Sequence, residues 1–191
     1  MQNSKDLKEK IDKAKVVSFD MFDTLVFRIV DRPTAVFEIM EKDYHLHNFS
    51  ELRQKYQNEA SLNVMQKQGY PHADFDEIYD WIKKNLVCNL KIEELAEKEI
   101  ALEKSLIYAN PEMKEIYEYA KAKKKRVIVS TDMYLKTNTI QEILKQCGYT
   151  SFDAIYDSAD IKKAKFDKSL FKYVLEQEKV EKEQILHVVD N

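Results

Sequence analysis

Three places in this sequence put carboxylates or hydroxyls directly after a short apolar run. Val16-Val17-Ser18-Phe19 leads into Asp20, Val127-Ile128-Val129 into Ser130-Thr131-Asp132, and Ile185-Leu186-His187-Val188-Val189 into Asp190-Asn191. Between the second and third lies a basic turn, Ser158 to Lys165, with lysines at 162, 163 and 165. Two carboxylates, a hydroxyl and an ammonium brought together suit a phosphoryl group with a hard cation. A carboxylate can attack or bind Mg²⁺, and the ammonium offsets charge on both nucleophile and phosphate. Each group also has a plainer reading. Asp is a common turn former, a strand-end hydroxyl can be satisfied by backbone, and a lysine ahead of a helix can simply be solvated.

For these groups to meet, the runs must be neighbouring parallel strands. Apolar runs rich in β-branched and aromatic residues read as buried strands. From Asn110 onward they alternate with helical patterns: Met113, Ile116, Tyr117 and Ala120 after a cap at Asn110 and Pro111, then Ile140, Ile143, Leu144 and Cys147 up to Gly148. A short strand is expected over Phe152 to Tyr156 and a helix around Leu170 to Leu175. Such alternation implies a parallel sheet, whose ligands gather at the carboxyl ends of the strands. Residues 28–108 read instead as an all-helical block without a strand. Helix starts are expected at Pro33, at Ser50, at Asp74 (a capping box with Glu77) and near Ile92. The apolar stripes of this block read as core packing with no chemistry, and Arg28 and Arg32 as solvated cations.

Composition narrows the classes. The 191 residues suit one substantial domain, or a core with an insertion, and the net charge of −3 advertises no nucleic-acid surface. No run approaches about 18 consecutive apolar residues, so no membrane span is read, and the polar start lacks the centre of a signal peptide. Cys88 and Cys147 read as reduced, buried thiols of a cytoplasmic protein. With two glycines in the whole chain, Gly-rich phosphate loops are excluded.

From about residue 15 to the end, the chain resembles the haloacid dehalogenase (HAD) superfamily. Asp20-Met21-Phe22-Asp23-Thr24 is similar to its first motif, Thr131 to its second, Lys165 to its third and Asp190 to its fourth. Closer still, Phe19 to Leu25, Pro33-Thr34-Ala35-Val36-Phe37 and Asp132-Met133-Tyr134-Leu135 resemble a bacterial branch often associated with glycosyltransferases of surface-polysaccharide assembly. The resemblance implies an α/β, HAD-like Rossmannoid parallel sheet formed by 1–27 and 109–191, with 28–108 as a helical C1 cap. It implies a Mg²⁺-dependent phosphatase or phosphotransferase acting through an aspartyl-phosphate on a small phosphorylated metabolite, such as a sugar or polyol phosphate. Asp20 would be the nucleophile; Asp20, the Phe22 carbonyl and Asp190 would hold Mg²⁺; Thr131 and Lys165 would bind the phosphoryl group.

Two departures shape the expectations. Phe22 stands where phosphatases of the superfamily carry a second Asp as acid/base, leaving the adjacent Asp23 as the candidate for that role. An aromatic there favours a 2-haloacid dehalogenase as one alternative, and a weakly active recognition or scaffold module as another. The superfamily pattern also runs on beyond its fourth motif. The chain is therefore expected to be part of a longer protein, with poor Mg²⁺ binding, slow turnover and self-association in this form.

Overall fold

The computed structural model describes residues 4–88 and 90–189. The chain runs α1 (Ser4–Lys13), β1 (Val16–Phe19), β2 (Val26–Arg28) and then four helices. These are α2 (Ala35–Asp43), α3 (Phe49–Gln68), α4 (Phe75–Asn85) and α5 (Ile92–Ser105). β3 (Ile107–Ala109) returns the chain, followed by α6 (Pro111–Ala122), β4 (Arg126–Thr131), α7 (Thr137–Gln146) and β5 (Ala154–Asp157). The short α8 (Ser158–Ile161), α9 (Ser169–Glu178) and β6 (Ile185–Val188) follow.

The sheet has the order β5-β4-β1-β6, with every neighbouring pair parallel. This is the α/β architecture that the alternation implied. β1 and β4 are central, and their apolar side chains are buried on both faces, which is why they read as continuous runs rather than alternating ones. Val17, Phe19, Val127 and Val129 enter the main core. Val16 and Ile128 face the other way and pack against Val174 of α9. The register sets Phe19 beside Val129 and Val188, so the three strands end at one edge.

Four local expectations need correction. Residues 28–108 are not free of strand: β2 and β3 pair antiparallel as a two-stranded ribbon, Val26 with Ala109 and Arg28 with Ile107, through which the chain leaves and re-enters the sheet region. Three-residue strands are too short to show alternation. α2 begins at Ala35, not Pro33, because residues 32–37 first close a tighter turn with i→i+3 hydrogen bonds. β5 begins at Ala154, since Phe152 packs against the Tyr117 and Tyr149 rings. The basic turn 158–165 opens with the short helix α8. By contrast, the capping box at Asp74 and Glu77 and the Asn110 cap with Pro111 at its first position are both present.

The helices between β2 and β3 are held by more than apolar stripes. Arg53 on α3 is fully buried and grips Glu99 of α5 through two hydrogen bonds, both 2.8 Å. Tyr79 donates to the same carboxylate at 2.6 Å, and the guanidinium lies 4.6 Å from the Phe37 ring and 5.3 Å from that of Tyr134. Burial opposes the charge on Arg53, but Glu99 and the hydrogen bonds it accepts hold the Arg53 pKa up, so the guanidinium stays charged. Removing one partner leaves an uncompensated buried charge. Glu99→Gln or Arg53→Met alone is expected to cost about 3–5 kcal/mol, with Arg53→Met/Glu99→Met recovering most of it. Urea unfolding of the three variants at pH 7 checks this.

Candidate active site

Asp20 is the first residue past β1, and its backbone N–H donates to the Val188 carbonyl at 2.9 Å, which ties it to β6. Its Oδ1 accepts from the Met21 N–H at 2.8 Å and pairs with the Lys165 ammonium at 2.7 Å. Both contacts fall on one oxygen. Oδ2 has no hydrogen-bond partner among the described residues, so one carboxylate oxygen is fixed and the other is available. The pair is only partly exposed, 17% for Lys165 and 27% for Asp20, so water screens it less than a surface pair.

Lys165 is separated from its neighbours by contacts. Lys162 is taken by Asp74 and Glu77 of α4, at 2.9 and 2.7 Å, and Lys163 lies over the Tyr173 ring. Lys165 itself is held by its backbone N–H, which donates to Asp132 Oδ2 at 3.2 Å. Ala164 beneath it is buried, and Leu170 N–H returns to the Ala164 carbonyl. Thr131, buried, ends β4 two residues beyond the Val129–Phe19 pair, which places it at the same edge. Asp190 lies outside the described residues.

Asp23 follows in the turn after β1. It adopts φ 59°, a left-handed conformation that Asp tolerates better than bulky residues. It lines an open cleft of roughly 350 Å³ with Phe27, Arg28, Arg32 and Tyr108, a cleft that Asp20, Thr131 and Lys165 do not line. Phe22 is covered: the Arg28 guanidinium sits 3.9 Å above its ring. Arg28 is thus not the solvated cation expected from sequence, since its side chain is 7% exposed and faces the buried Glu103 at 3.5 Å. Burial, opposed by Arg28, pushes the Glu103 carboxyl up.

Beside the site, the contacts of Ser18 and His187 and the burial of Asp157 were not anticipated. Ser18 and Ser130 lie Oγ to Oγ at 2.9 Å on adjacent strands, and Ser18 Oγ lies 2.9 Å from His187 Nδ1. Burial, and then the charge of Lys165, push His187 down to about 4, so its ring is neutral at pH 7. Hydroxyls interrupting both central strands were the available signal. Asp157, paired with Thr131 across the sheet, is fully buried with Oδ2 unpartnered, and burial pushes its carboxyl up to about 8.

A carboxylate and the Phe22 backbone carbonyl are hard oxygen donors, and Asp20 Oδ2 has no hydrogen-bond partner among the described residues, so this donor set suits Mg²⁺. Among the described residues, no group of three His, Cys, Asp or Glu could hold a metal ion. Nor is any helix long and apolar enough to cross a membrane.

The model of the haloacid dehalogenase-like hydrolase family matches residues 14–191. The chain belongs to that family. No curated protein sequence matches the chain. Among solved structures, it is similar to L-2-haloacid dehalogenase from Xanthobacter autotrophicus with chloropropionic acid covalently bound. That match has a TM-score of 0.59 at 18% identity, covering 91% of this chain and 69% of the other. A HAD-family enzyme from Bacteroides thetaiotaomicron, in complex with magnesium and inorganic phosphate, gives 0.64 at 16% identity, covering 93% and 85%. A putative β-phosphoglucomutase from Thermotoga maritima gives 0.51 at 17%, covering 91% and 74%. At such identities the likeness speaks to the fold alone.

The Asp157 carboxyl yields a pH expectation. In the fold it keeps its proton up to about pH 8, whereas in the unfolded chain it loses it near the ordinary value of 3.8. The folded state therefore binds the extra proton between those values, and stability falls as pH rises through that window. Asp157→Asn, neutral at every pH, is expected to match wild type near pH 4 and to exceed it increasingly toward pH 8. Urea midpoints measured for both proteins across that range check it.

Proposed function

We propose that this family member is a Mg²⁺-dependent phosphatase or phosphotransferase that works through a covalent intermediate on Asp20. The observation that carries the covalent step is the Lys165–Asp20 contact, which holds Oδ1 and leaves Oδ2 without a hydrogen-bond partner among the described residues. In the proposed reaction Asp20 Oδ2 attacks phosphorus, the bond from phosphorus to the leaving oxygen breaks, and water then cleaves the aspartyl-phosphate. Lys165 offsets negative charge on nucleophile and phosphoryl oxygens, and the Thr131 hydroxyl donates to a phosphoryl oxygen. Held by Asp20, the Phe22 carbonyl and Asp190, Mg²⁺ would draw charge from the same oxygens. The helices α2–α5 would serve as a C1 cap over residues 1–27 and 109–191, and would set the substrate. We favour a small phosphorylated metabolite of the sugar or polyol class, in the setting of surface-polysaccharide assembly.

Phe22 cannot move a proton, and a positioned acid typically contributes about 10²–10⁴-fold. Turnover should therefore depend steeply on leaving-group acidity, with aryl or acyl phosphates ahead of alkyl ones. The same residue favours a second reading, 2-haloacid hydrolysis, because a halide leaves without a proton.

The test is phosphate release from a panel of sugar, polyol, aryl and acyl phosphates, with Mg²⁺ and with a chelator. Activity is expected with Mg²⁺ only. Asp20→Asn should abolish it, and Lys165→Met should lower kcat by about 10²–10³-fold, as for loss of one preorganised charge. Equal turnover by wild type and Asp20→Asn would overturn the proposal. Halide release from a 2-haloacid in the presence of chelator would move the assignment to the second reading.

A further inference from the structure

We infer that the first turn of α4, through Asp74, is a positioning element for Lys165, and that Lys162 is the link between them. The inference rests on the reading of Lys165 as the counter-charge to Asp20. The loop that bears Lys165 is held on its N-terminal side by Lys162, whose ammonium reaches Asp74 at 2.9 Å and Glu77 at 2.7 Å. Both carboxylates come from a helix that follows β2 by more than forty residues in the chain, so the loop is set by an element outside the sheet. Asp74 is 6% exposed and also takes Lys136 at 3.3 Å, while Lys136 reaches Asp160 on α8 at 3.4 Å. One acidic turn thus gathers two lysines, Lys136 from the loop after β4 and Lys162 from the segment after β5.

The same turn touches the loop after Thr131 as well. Phe75 N–H donates to the Tyr134 carbonyl at 2.8 Å, and the two rings stack at 6.3 Å. Within that loop, Asp132 accepts the Lys165 backbone N–H. Lys165 is therefore held along two routes that start at residues 74–77: Asp74 and Glu77 to Lys162, and Phe75 to Tyr134 and on to Asp132. On the far side of Lys165, Phe166 meets the His72 ring edge-on at 6.2 Å, in the segment that leads into α4. Lys162 itself, at φ 56°, is the left-handed residue that ends α8.

Asp74 also caps α4 by accepting from the Glu77 N–H. Asn caps as well as Asp, so Asp74→Asn keeps the start of the helix and removes only the charge that Lys162 and Lys136 require. The experiment has two arms. In the first, Lys165 is acylated with a limiting amine-reactive reagent and its labelling rate is read by peptide mass spectrometry in the full chain. In the second, kcat and KM are measured on the best phosphate ester. Since misplacement of a reacting group by about 1 Å can cost 10²-fold, Asp74→Asn and Lys162→Met are expected to lower kcat about tenfold or more. KM should change little and Lys165 labelling should rise several-fold, as its contact with Asp20 loosens. Lys162→Arg should restore both readouts in part, which a merely structural role would not require. Lys83→Met, which breaks an exposed pair with Glu93, should move neither.

If Asp74→Asn fails to fold, Lys162→Met and Glu77→Gln, both on partly exposed residues, carry the test. Labelling and kcat within twofold of wild type in the folded variants would overturn the inference. Should wild type release no phosphate from any ester, the proposed function falls, while the labelling arm still decides the positioning role.

Discussion

The contact between the Asp20 carboxylate and the Lys165 ammonium is the interaction on which the site depends. A carboxylate at the end of a central parallel strand is held near the mouth of the sheet, partly shielded from water, so a counter-charge there acts with less screening than on an open surface. Lys165 supplies that charge from a loop on the other side of β5, and it does so on one oxygen only. Everything else at this edge serves the geometry of the pair. β6 fixes the Asp20 backbone through Val188, Asp132 fixes the Lys165 backbone, and Thr131 ends β4 buried at the same edge.

Phe22 changes what such a pair can accomplish. An acid at that position would carry a proton to the leaving group, and an aromatic ring cannot. The ring instead receives the Arg28 guanidinium, whose charge is balanced by Glu103 on α5. A cation over an aromatic face contributes about 0.5–2 kcal/mol depending on desolvation. The substitution therefore replaces a proton carrier with a packed, charge-bearing stack that ties the turn after β1 to the ribbon and to α5. In the reaction proposed at Asp20, leaving groups that depart as stable anions would be favoured, which is the common ground between phosphoryl transfer to good leaving groups and displacement of halide.

Much of this architecture was legible in the sequence, for reasons that differ by element. β1 and β4 were legible because central parallel strands are buried on both faces and show unbroken apolar runs. The Asp74 and Asn110 helix starts were legible because capping is local chemistry. Lys165 was indicated by its resemblance to the third motif, while residue types alone left Lys162 and Lys163 in play. Only the three-dimensional contacts to Asp74, Glu77 and Tyr173 separate the three. The ribbon of β2 and β3 was hidden because its pairing joins residues about eighty positions apart. Arg53 was hidden for a different reason: on a helix an arginine reads as a solvated residue, and its burial requires Glu99 from another helix. Charges that are matched across the fold leave no trace in a one-dimensional pattern.

Those matched charges also decide how the helices α2–α5 meet the sheet. Lys136 and Lys162 face Asp74, Asp76 and Glu77, while Arg28 faces Glu103 and Tyr134 enters the aromatic surroundings of Arg53. Ion pairs that are partly exposed add little net stability, since each charge is nearly as well solvated apart as together. They do penalise misalignment, because a shift of register leaves a charge unpaired. Beneath these pairs the apolar core is continuous, since Val36, Phe37 and Ile82 of the helices belong to the same buried cluster as Phe19 and Val129 of the sheet. The charges therefore set the register of an interface that the core holds together, and the Arg28–Glu103 pair, itself buried, penalises any shift most.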